Sequence, residues 1–197
     1  MKRIFVLIIF LTVSLINLNF AHSISPDVFI QSTVNRASQV LSEKISKEEK
    51  IDKLKLIAKE TVDIKGVGYY SLGSARKNLN SKEISSYSSL FENYFLKSFS
   101  SRLAEYTNPE IDVYAKEMLN ENYTIVNSIL KGTDERPEIK IDWRIYTKNS
   151  DQPLIRDLII EGLSLARTQK EEFASVLSSN GNDINALFKT LEEFANR

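Results

Sequence analysis

The chain has 197 residues, with 26 basic and 26 acidic side chains, so its formal net charge at pH 7 is zero. Non-specific binding to nucleic acid requires a marked excess of Lys and Arg, and the balanced charge therefore excludes a nucleic-acid partner. The sequence contains no cysteine and a single histidine, His22, so it offers neither thiol chemistry nor the ligands of a zinc site.

The first 23 residues have the pattern of a secretory signal peptide. A basic start precedes a nearly unbroken apolar run over residues 4–18, and the small residues Ala21 and Ser23 follow. We expect cleavage after Ala21 or after Ser23, although an uncleaved anchor is an alternative; the run is short for a membrane span. Residues 24–197 then form a single domain, long enough for a core that needs no disulfides.

Three helices are predicted in the first half of the exported chain. Ser25 followed by proline is typical of a helix start, and Ser46 has a glutamate three residues later, as in a capping box. Asn80 begins the longest helix, which runs to about Tyr106 and carries a stripe of aromatic side chains on one face.

Residues 63–73 lie between the second and third of these helices and contain Gly66, Gly68 and Gly73. This glycine content predicts tight backbone packing or a turn. It is weak evidence for a phosphate-binding loop, because no strand precedes the segment and no third glycine stands at the dinucleotide-binding spacing. Nucleotide binding is therefore not expected.

After the long helix, the spacing of apolar residues changes from the helical period of 3.6 residues to the strand period of two residues. Alternating or β-branched segments begin near Ile111, Tyr123, Glu138 and Leu154, and short turn sequences separate them. Four consecutive strands of this kind predict an antiparallel meander with one dry face.

Gly162 allows the chain to turn from the last strand into a helix. Asn180 and Gly181 end this helix, and Asp183 begins a final amphipathic helix. Helices, then strands, then helices are typical of an α+β protein. The predicted fold is a four-stranded antiparallel meander covered on one face by helices.

The sequence shows no catalytic constellation. Ser164 follows Gly162 by two residues, and catalytic serines often lie near a glycine, but no partner stands at a recognisable spacing. Asp157 and Glu161 are paired carboxylates whose expected role is ion pairing with Arg144 or Arg156 across the hairpin. We therefore predict no enzymatic activity, no metal and no cofactor.

The apolar faces of the long helix and of the strands leave two possibilities open. A side chain that fills a core and one that lines a dry cavity both avoid water, so periodicity does not separate them. The stripe on the long helix includes Phe91, Phe95 and Phe99, and the strands contribute Ile141, Trp143, Ile145, Leu158 and Ile160.

Several motifs in this sequence resemble the MlaC family, also known as toluene-tolerance or Ttg2-type proteins. The strongest are Asp142-Trp143-Arg144, Glu161-Gly162-Leu163-Ser164 and Thr168-Gln169-x-x-Glu172-Phe173, with Asp63-x-x-Gly66 and Leu72-Gly73 in support. The resemblance covers most of the exported chain, and the N-terminal helices match only in kind. Residues 149–154 depart from it, because related chains often have a glycine and then a tryptophan there.

The resemblance implies a nuclear-transport-factor-like α+β fold whose pocket takes the acyl tails of a phospholipid while the head group stays near solvent. It also implies a periplasmic carrier that shuttles lipid between an outer-membrane lipoprotein complex and an inner-membrane ABC transporter complex, maintaining outer-membrane lipid asymmetry. The expected lining residues are Val67, Leu72, Phe91, Phe95, Phe99, Trp143, Ile145 and Ile160. The alternatives are an auxiliary factor for another lipid, such as a hopanoid, and a non-lipid interaction domain with a filled core.

Overall fold

A computed structural model describes residues 24–134, 136–149 and 151–197. The predicted signal peptide, residues 1–23, lies outside the described residues, as does position 150 in the predicted hairpin. Within the described ranges, no helix is both long and apolar enough to cross a membrane.

The described residues form six α-helices, a short 3₁₀ helix and five β-strands. The helices are α1 Pro26–Ser42, α2 Lys47–Thr61, α3 Ile64–Ser71, α4 Ser81–Leu103, α5 Leu165–Ser179 and α6 Ile184–Asn196, with the 3₁₀ helix at Ala75–Asn78. The strands are β1 Ile111–Asn120, β2 Tyr123–Leu130, β3 Ile139–Tyr146, β4 Leu154–Ile160 and β5 Leu163–Ser164. The predicted α+β fold is confirmed, with five strands in place of the predicted four.

The additional strand β5 arises from the corner after β4. Glu161 and Gly162 have positive φ angles of 49° and 83°, so the chain reverses within two residues. Leu163 then pairs with Ile160, and Ser164 pairs with Ile159. This reversal sets the point at which α5 leaves the sheet.

The sheet has the order β1-β2-β3-β4-β5 and is antiparallel throughout. Its register places Val126, Trp143 and Leu158 side by side on the face that the helices cover. The Trp143 indole N–H donates to the Ser128 hydroxyl at 2.8 Å, which satisfies the polar atom of a buried ring. The covered face is therefore apolar and has its few polar groups paired.

The sequence signals for helix starts are confirmed. Ser46 and Asn80 each form a complete capping box with the glutamate three residues later, at the N-termini of α2 and α4. Residues 64–71 form the helix α3, which begins where the Asp63 carboxylate accepts a hydrogen bond from Gly66 N at 2.8 Å. Most of the glycine-rich segment is thus a capped helix, and Gly73, with a φ angle of 57°, lies in the turn that follows it.

Because Gly66 and Gly68 have no side chain, residues of other elements pack directly against the backbone of α3. A Cβ atom at Gly68 would lie 2.6 Å from Cδ1 of Phe91, and one at Gly66 would lie 2.7 Å from Cζ of Arg156. The Tyr87 hydroxyl donates to the Gly68 carbonyl at 3.0 Å. Close backbone packing, the first of the two predictions for this segment, is confirmed.

Helices α4 and α5 are held in place mainly by other elements. Helix α4 packs on α2, α3 and α6, and α5 packs on α3, β4 and α6. Phe173 of α5 packs against the Phe91 and Tyr94 rings of α4. Beyond that contact, the two helices stand on either side of a gap over the covered face of the sheet.

Replacing Gly68 by alanine should destabilise the protein by about 1–3 kcal/mol, because the methyl group would overlap the Phe91 ring. Where no such overlap occurs, alanine in place of glycine stabilises a helix by roughly 0.5–1 kcal/mol. A fall in the free energy of unfolding would therefore indicate the overlap, and a rise would indicate its absence. Urea unfolding of Gly68→Ala measures it.

The matched background for this test is Phe91→Leu, in which the smaller side chain leaves room for the methyl group. There, Gly68→Ala should be neutral or stabilising. An equal loss in both backgrounds would show that the ring contact is not the cause.

Candidate functional site

The gap between α4 and α5 contains a cavity of about 180 Å³, bounded also by α3 and by the covered face of β3 and β4. Most of its wall is apolar. The lining residues are Val62, Val67, Phe91, Tyr94, Phe95, Ser98, Phe99, Arg102, Trp143, Ile155, Arg156, Asp157, Leu158, Leu165, Ala166, Thr168, Gln169 and Glu172.

Helix α4 supplies an aromatic wall of three rings spaced four residues apart. The Phe91 and Phe95 centroids are 6.1 Å apart, and the Phe95 and Phe99 rings stack at 5.4 Å with an angle of 10°. Phe91 is only 1% exposed and also meets the edge of Phe173. Phe95 and Phe99 are half-buried, so the wall is fixed at its Phe91 end and freer at the other.

Arg156 closes the cavity between α3 and β4. Its Nε donates to the Asp63 carboxylate at 2.5 Å, and its Nη1 donates to the Tyr123 hydroxyl at 3.3 Å. The guanidinium also lies over the Tyr146 ring, 4.6 Å from the centroid. Since Asp63 also caps α3, this pair fixes the start of α3 against the sheet.

Asp157 holds the start of α5 in a similar way. Asp157 is 5% exposed, and its carboxylate accepts hydrogen bonds from the Ser164 hydroxyl at 2.6 Å and from Ala166 N at 2.9 Å. Arg144 lies 3.5 Å away and forms the ion pair that the sequence predicted. Glu161 instead accepts a hydrogen bond from Lys140 N at 2.5 Å. Both carboxylates thus have structural partners.

The cavity opens to solvent between the C-terminal half of α4 and the first two turns of α5. Among its lining residues, Arg102, Leu165 and Glu172 are exposed, and we call these three residues the rim. One hydrogen bond crosses the opening, from the Tyr94 hydroxyl to Gln169 Oε1 at 2.8 Å. Burial raises the pKa of Tyr94, which keeps this hydroxyl protonated as a donor.

The structure brings together five of the eight predicted lining residues. Val67, Phe91, Phe95, Phe99 and Trp143 all contribute to the cavity wall. The apolar stripe of α4 therefore converges with the middle of β3 at one site.

The other three, Leu72, Ile145 and Ile160, do not line this cavity. Ile145 is fully buried in the packed core, and Leu72 is 3% exposed at the C-cap of α3. Ile160 lies at the end of β4, opposite Ile141. Contact of these three with a ligand stays a prediction.

The sequence prediction missed much of the site. A β-bulge at Arg156 shifts the register, so Asp157 faces Arg144 while Ile155 faces Ile145. This shift contributes Ile155 to the cavity, and no local pattern indicates it. The charged rim was missed because charged side chains on helices are usually only solvated; the aromatic stripe that includes Tyr94 was the available signal.

A second cavity of about 380 Å³ lies beyond Arg156 and Asp157, near the turn between β1 and β2. It is larger but less apolar, and its two arginines, Arg144 and Arg156, are already paired with carboxylates. The smaller cavity, with its aromatic wall, is the better candidate for an apolar ligand.

These features define an α+β protein with an apolar site enclosed between one antiparallel sheet and its covering helices. Residues 31–193 match the family model described as MlaC protein. The chain belongs to the MlaC family, as the sequence motifs predicted.

A similar solved structure is that of the phospholipid-binding protein from Ralstonia solanacearum in complex with a phospholipid. The TM-score is 0.73 at 16% sequence identity, and the match covers 88% of this chain and 98% of that one. At this identity the likeness establishes the fold. Among curated proteins, none matches the sequence.

Replacing Asp157 by asparagine should destabilise the protein by about 1–3 kcal/mol. One of the two carboxylate oxygens becomes an NH₂ group, which cannot accept the hydrogen bond that the Ser164 hydroxyl or Ala166 N donates. Chemical denaturation should show a lower midpoint for Asp157→Asn. The exposed Asp151→Asn carries the same charge change and should stay within about 0.5 kcal/mol of the parent. Equal midpoints for the two variants would refute the capping role.

Proposed function

We propose that this chain is a periplasmic phospholipid carrier that holds acyl tails in the cavity between α4, α5 and the sheet. The observation that carries the proposal is an apolar cavity with an aromatic wall and a charged rim. Two further findings support it: the chain belongs to the MlaC family, and a protein of the same fold binds a phospholipid.

The free energy of burying an acyl tail is sufficient for a carrier that catalyses no reaction. Burying a methylene group is worth about 0.8 kcal/mol, so a tail of about 15 carbons represents roughly 12 kcal/mol relative to water. A dry site of similar apolarity is sufficient to keep such a tail out of the aqueous phase. The role requires no bond to be made or broken, and we propose a carrier rather than an enzyme.

The volume of the cavity indicates how loading would proceed. An engineered cavity of about 150 Å³ admits benzene, so about 180 Å³ is too small for a whole tail. The side chains of the cavity wall must therefore move apart for a tail to enter. The half-buried rings of Phe95 and Phe99 and the Tyr94–Gln169 hydrogen bond are the contacts whose loss would widen the opening.

The proposed setting follows from the sequence and from the family. Residues 1–23 would direct export, and residues 24–197 would act as a single domain in the periplasm. The proposed partners are an outer-membrane lipoprotein complex and an inner-membrane ABC transporter complex. Movement of lipid between them would maintain outer-membrane asymmetry.

The two alternatives differ from this proposal in what they require. An interaction domain with a filled core needs no cavity, and the presence of the aromatic-walled cavity favours the carrier. A carrier of another lipid, such as a hopanoid, would use the same apolar wall. Mass spectrometry of the lipid extracted from purified protein separates the two carriers.

Replacing Phe95 by aspartate should reduce co-purified phospholipid to less than about a tenth of the parental amount. A carboxylate in the apolar wall would have to be desolvated by the tail, and roughly 1.4 kcal/mol already corresponds to a factor of ten. Organic extraction followed by phosphate assay gives lipid per protein.

Leu56→Asp is the matched control, because Leu56 is 61% exposed on α2 and outside the cavity wall. Circular dichroism should show both variants folded. Parental lipid content in folded Phe95→Asp would show that tails do not occupy this cavity.

A further inference from the structure

The rim around the cavity opening contains two opposite charges. Arg102 lies on the last turn of α4 and Glu172 on the second turn of α5, so the charges lie on opposite sides of the opening. Among the described residues, they form no ion pair with each other. The opening therefore has a cationic side and an anionic side.

Neither charge is neutralised by the protein. Across the residues that the structure describes, the Arg102 side chain makes no ion pair, hydrogen bond or ring contact, whereas Arg36, Arg144 and Arg156 each pair with a carboxylate. Glu172 accepts one hydrogen bond, from Gln169 Nε2 at 3.0 Å, which orients its carboxylate and leaves acceptor capacity.

The other charged groups of the cavity wall are already occupied. Arg156 is bound to Asp63, and Asp157 accepts from Ala166 N at the start of α5. The N-terminus of α5 therefore has its own carboxylate and is not open to a phosphate. Of the charged residues that line the cavity, Arg102 and Glu172 remain for the polar part of a ligand whose tails enter it.

We propose that Arg102 and Glu172 select the head group: Arg102 binds the lipid phosphate, and Glu172 binds an ammonium group. The favoured ligand is then a zwitterionic lipid with an amine, rather than an anionic lipid without one. This inference rests on the proposed function, since it assumes that acyl tails occupy the cavity.

The chemistry of the two side chains suits these roles. A guanidinium donates two parallel hydrogen bonds to a phosphate, and a carboxylate attracts an ammonium group while repelling a second anion. Glu172 raises the pKa of Tyr94 and Arg102 lowers it, so both charges act on one hydroxyl at the opening. Both side chains line the same opening, which is where one head group would lie.

The expected selectivity is modest, because both side chains are exposed to solvent. Exposed ion pairs correspond to roughly two- to five-fold in affinity, and salt weakens them further. Total binding should change by no more than this, since the tails provide most of the free energy.

The experiment loads lipid-free protein from vesicles of equimolar phosphatidylethanolamine and phosphatidylglycerol with the same acyl chains, at low salt. Mass spectrometry then gives the ratio of the two lipids on the protein and the total lipid per protein. The variants are Glu172→Gln, Arg102→Gln and the control Glu171→Gln, whose exposed carboxylate lies on α5 outside the cavity wall.

The two rim variants should change the ratio in opposite directions. Glu172→Gln should lower the ethanolamine-to-glycerol ratio about two- to five-fold, because the ammonium loses its partner. Arg102→Gln should raise it, because Glu172 then repels the anionic lipid unopposed. The control should keep the parental ratio.

Normal loading with an unchanged ratio in Glu172→Gln overturns the head-group role and leaves the carrier intact. A shift of both rim variants in the same direction also overturns it, as that would reflect a structural change in the opening. Absence of lipid on the parent protein overturns the proposed function, and this inference with it.

Discussion

The buried carboxylate of Asp157 is the contact on which the shape of the cavity depends. A buried charge is tolerated only when it is fully hydrogen-bonded, and here a hydroxyl, a backbone N–H and a guanidinium provide the partners. Because those donors belong to β5, to the start of α5 and to β3, one side chain joins β4 to three other elements. Helix α5 is therefore fixed to the sheet at its first turn, and farther along the helix Phe173 packs against α4.

Arg156, the neighbouring residue, has the same effect on α3 through its pair with Asp63. Two adjacent residues of β4 thus anchor two different helices, and the bulge between β3 and β4 makes this possible. Ordinary alternation would send the two side chains to opposite faces of the sheet. These polar anchors act together with the apolar packing of Phe173 against α4 to set the spacing of the cavity walls.

Much of the fold could be predicted from the sequence, because its signals are local. The capping boxes at Ser46 and Asn80 and the reversal at Gly162 each depend on a few neighbouring residues. The aromatic stripe of α4 likewise predicted Phe95 as part of an inner face. The motifs after residue 142 gave the family.

The parts that could not be predicted are those set by tertiary contacts. The register shift that brings Ile155 into the wall depends on how β3 and β4 pair, and the full burial of Ile145 depends on what covers it. The charged rim could not be predicted from the sequence for another reason. Arg102 and Glu172 are far apart in sequence, and their relation appears only when α4 and α5 are placed side by side.

Trp143 is the only tryptophan in the chain, and it stands in the wall of the cavity with its N–H bound to Ser128. Indole emission depends on the polarity and rigidity of the surroundings. The unmodified protein therefore contains an intrinsic fluorophore at the one place where occupancy would alter those surroundings, and filling or emptying could be followed in real time without attaching a dye.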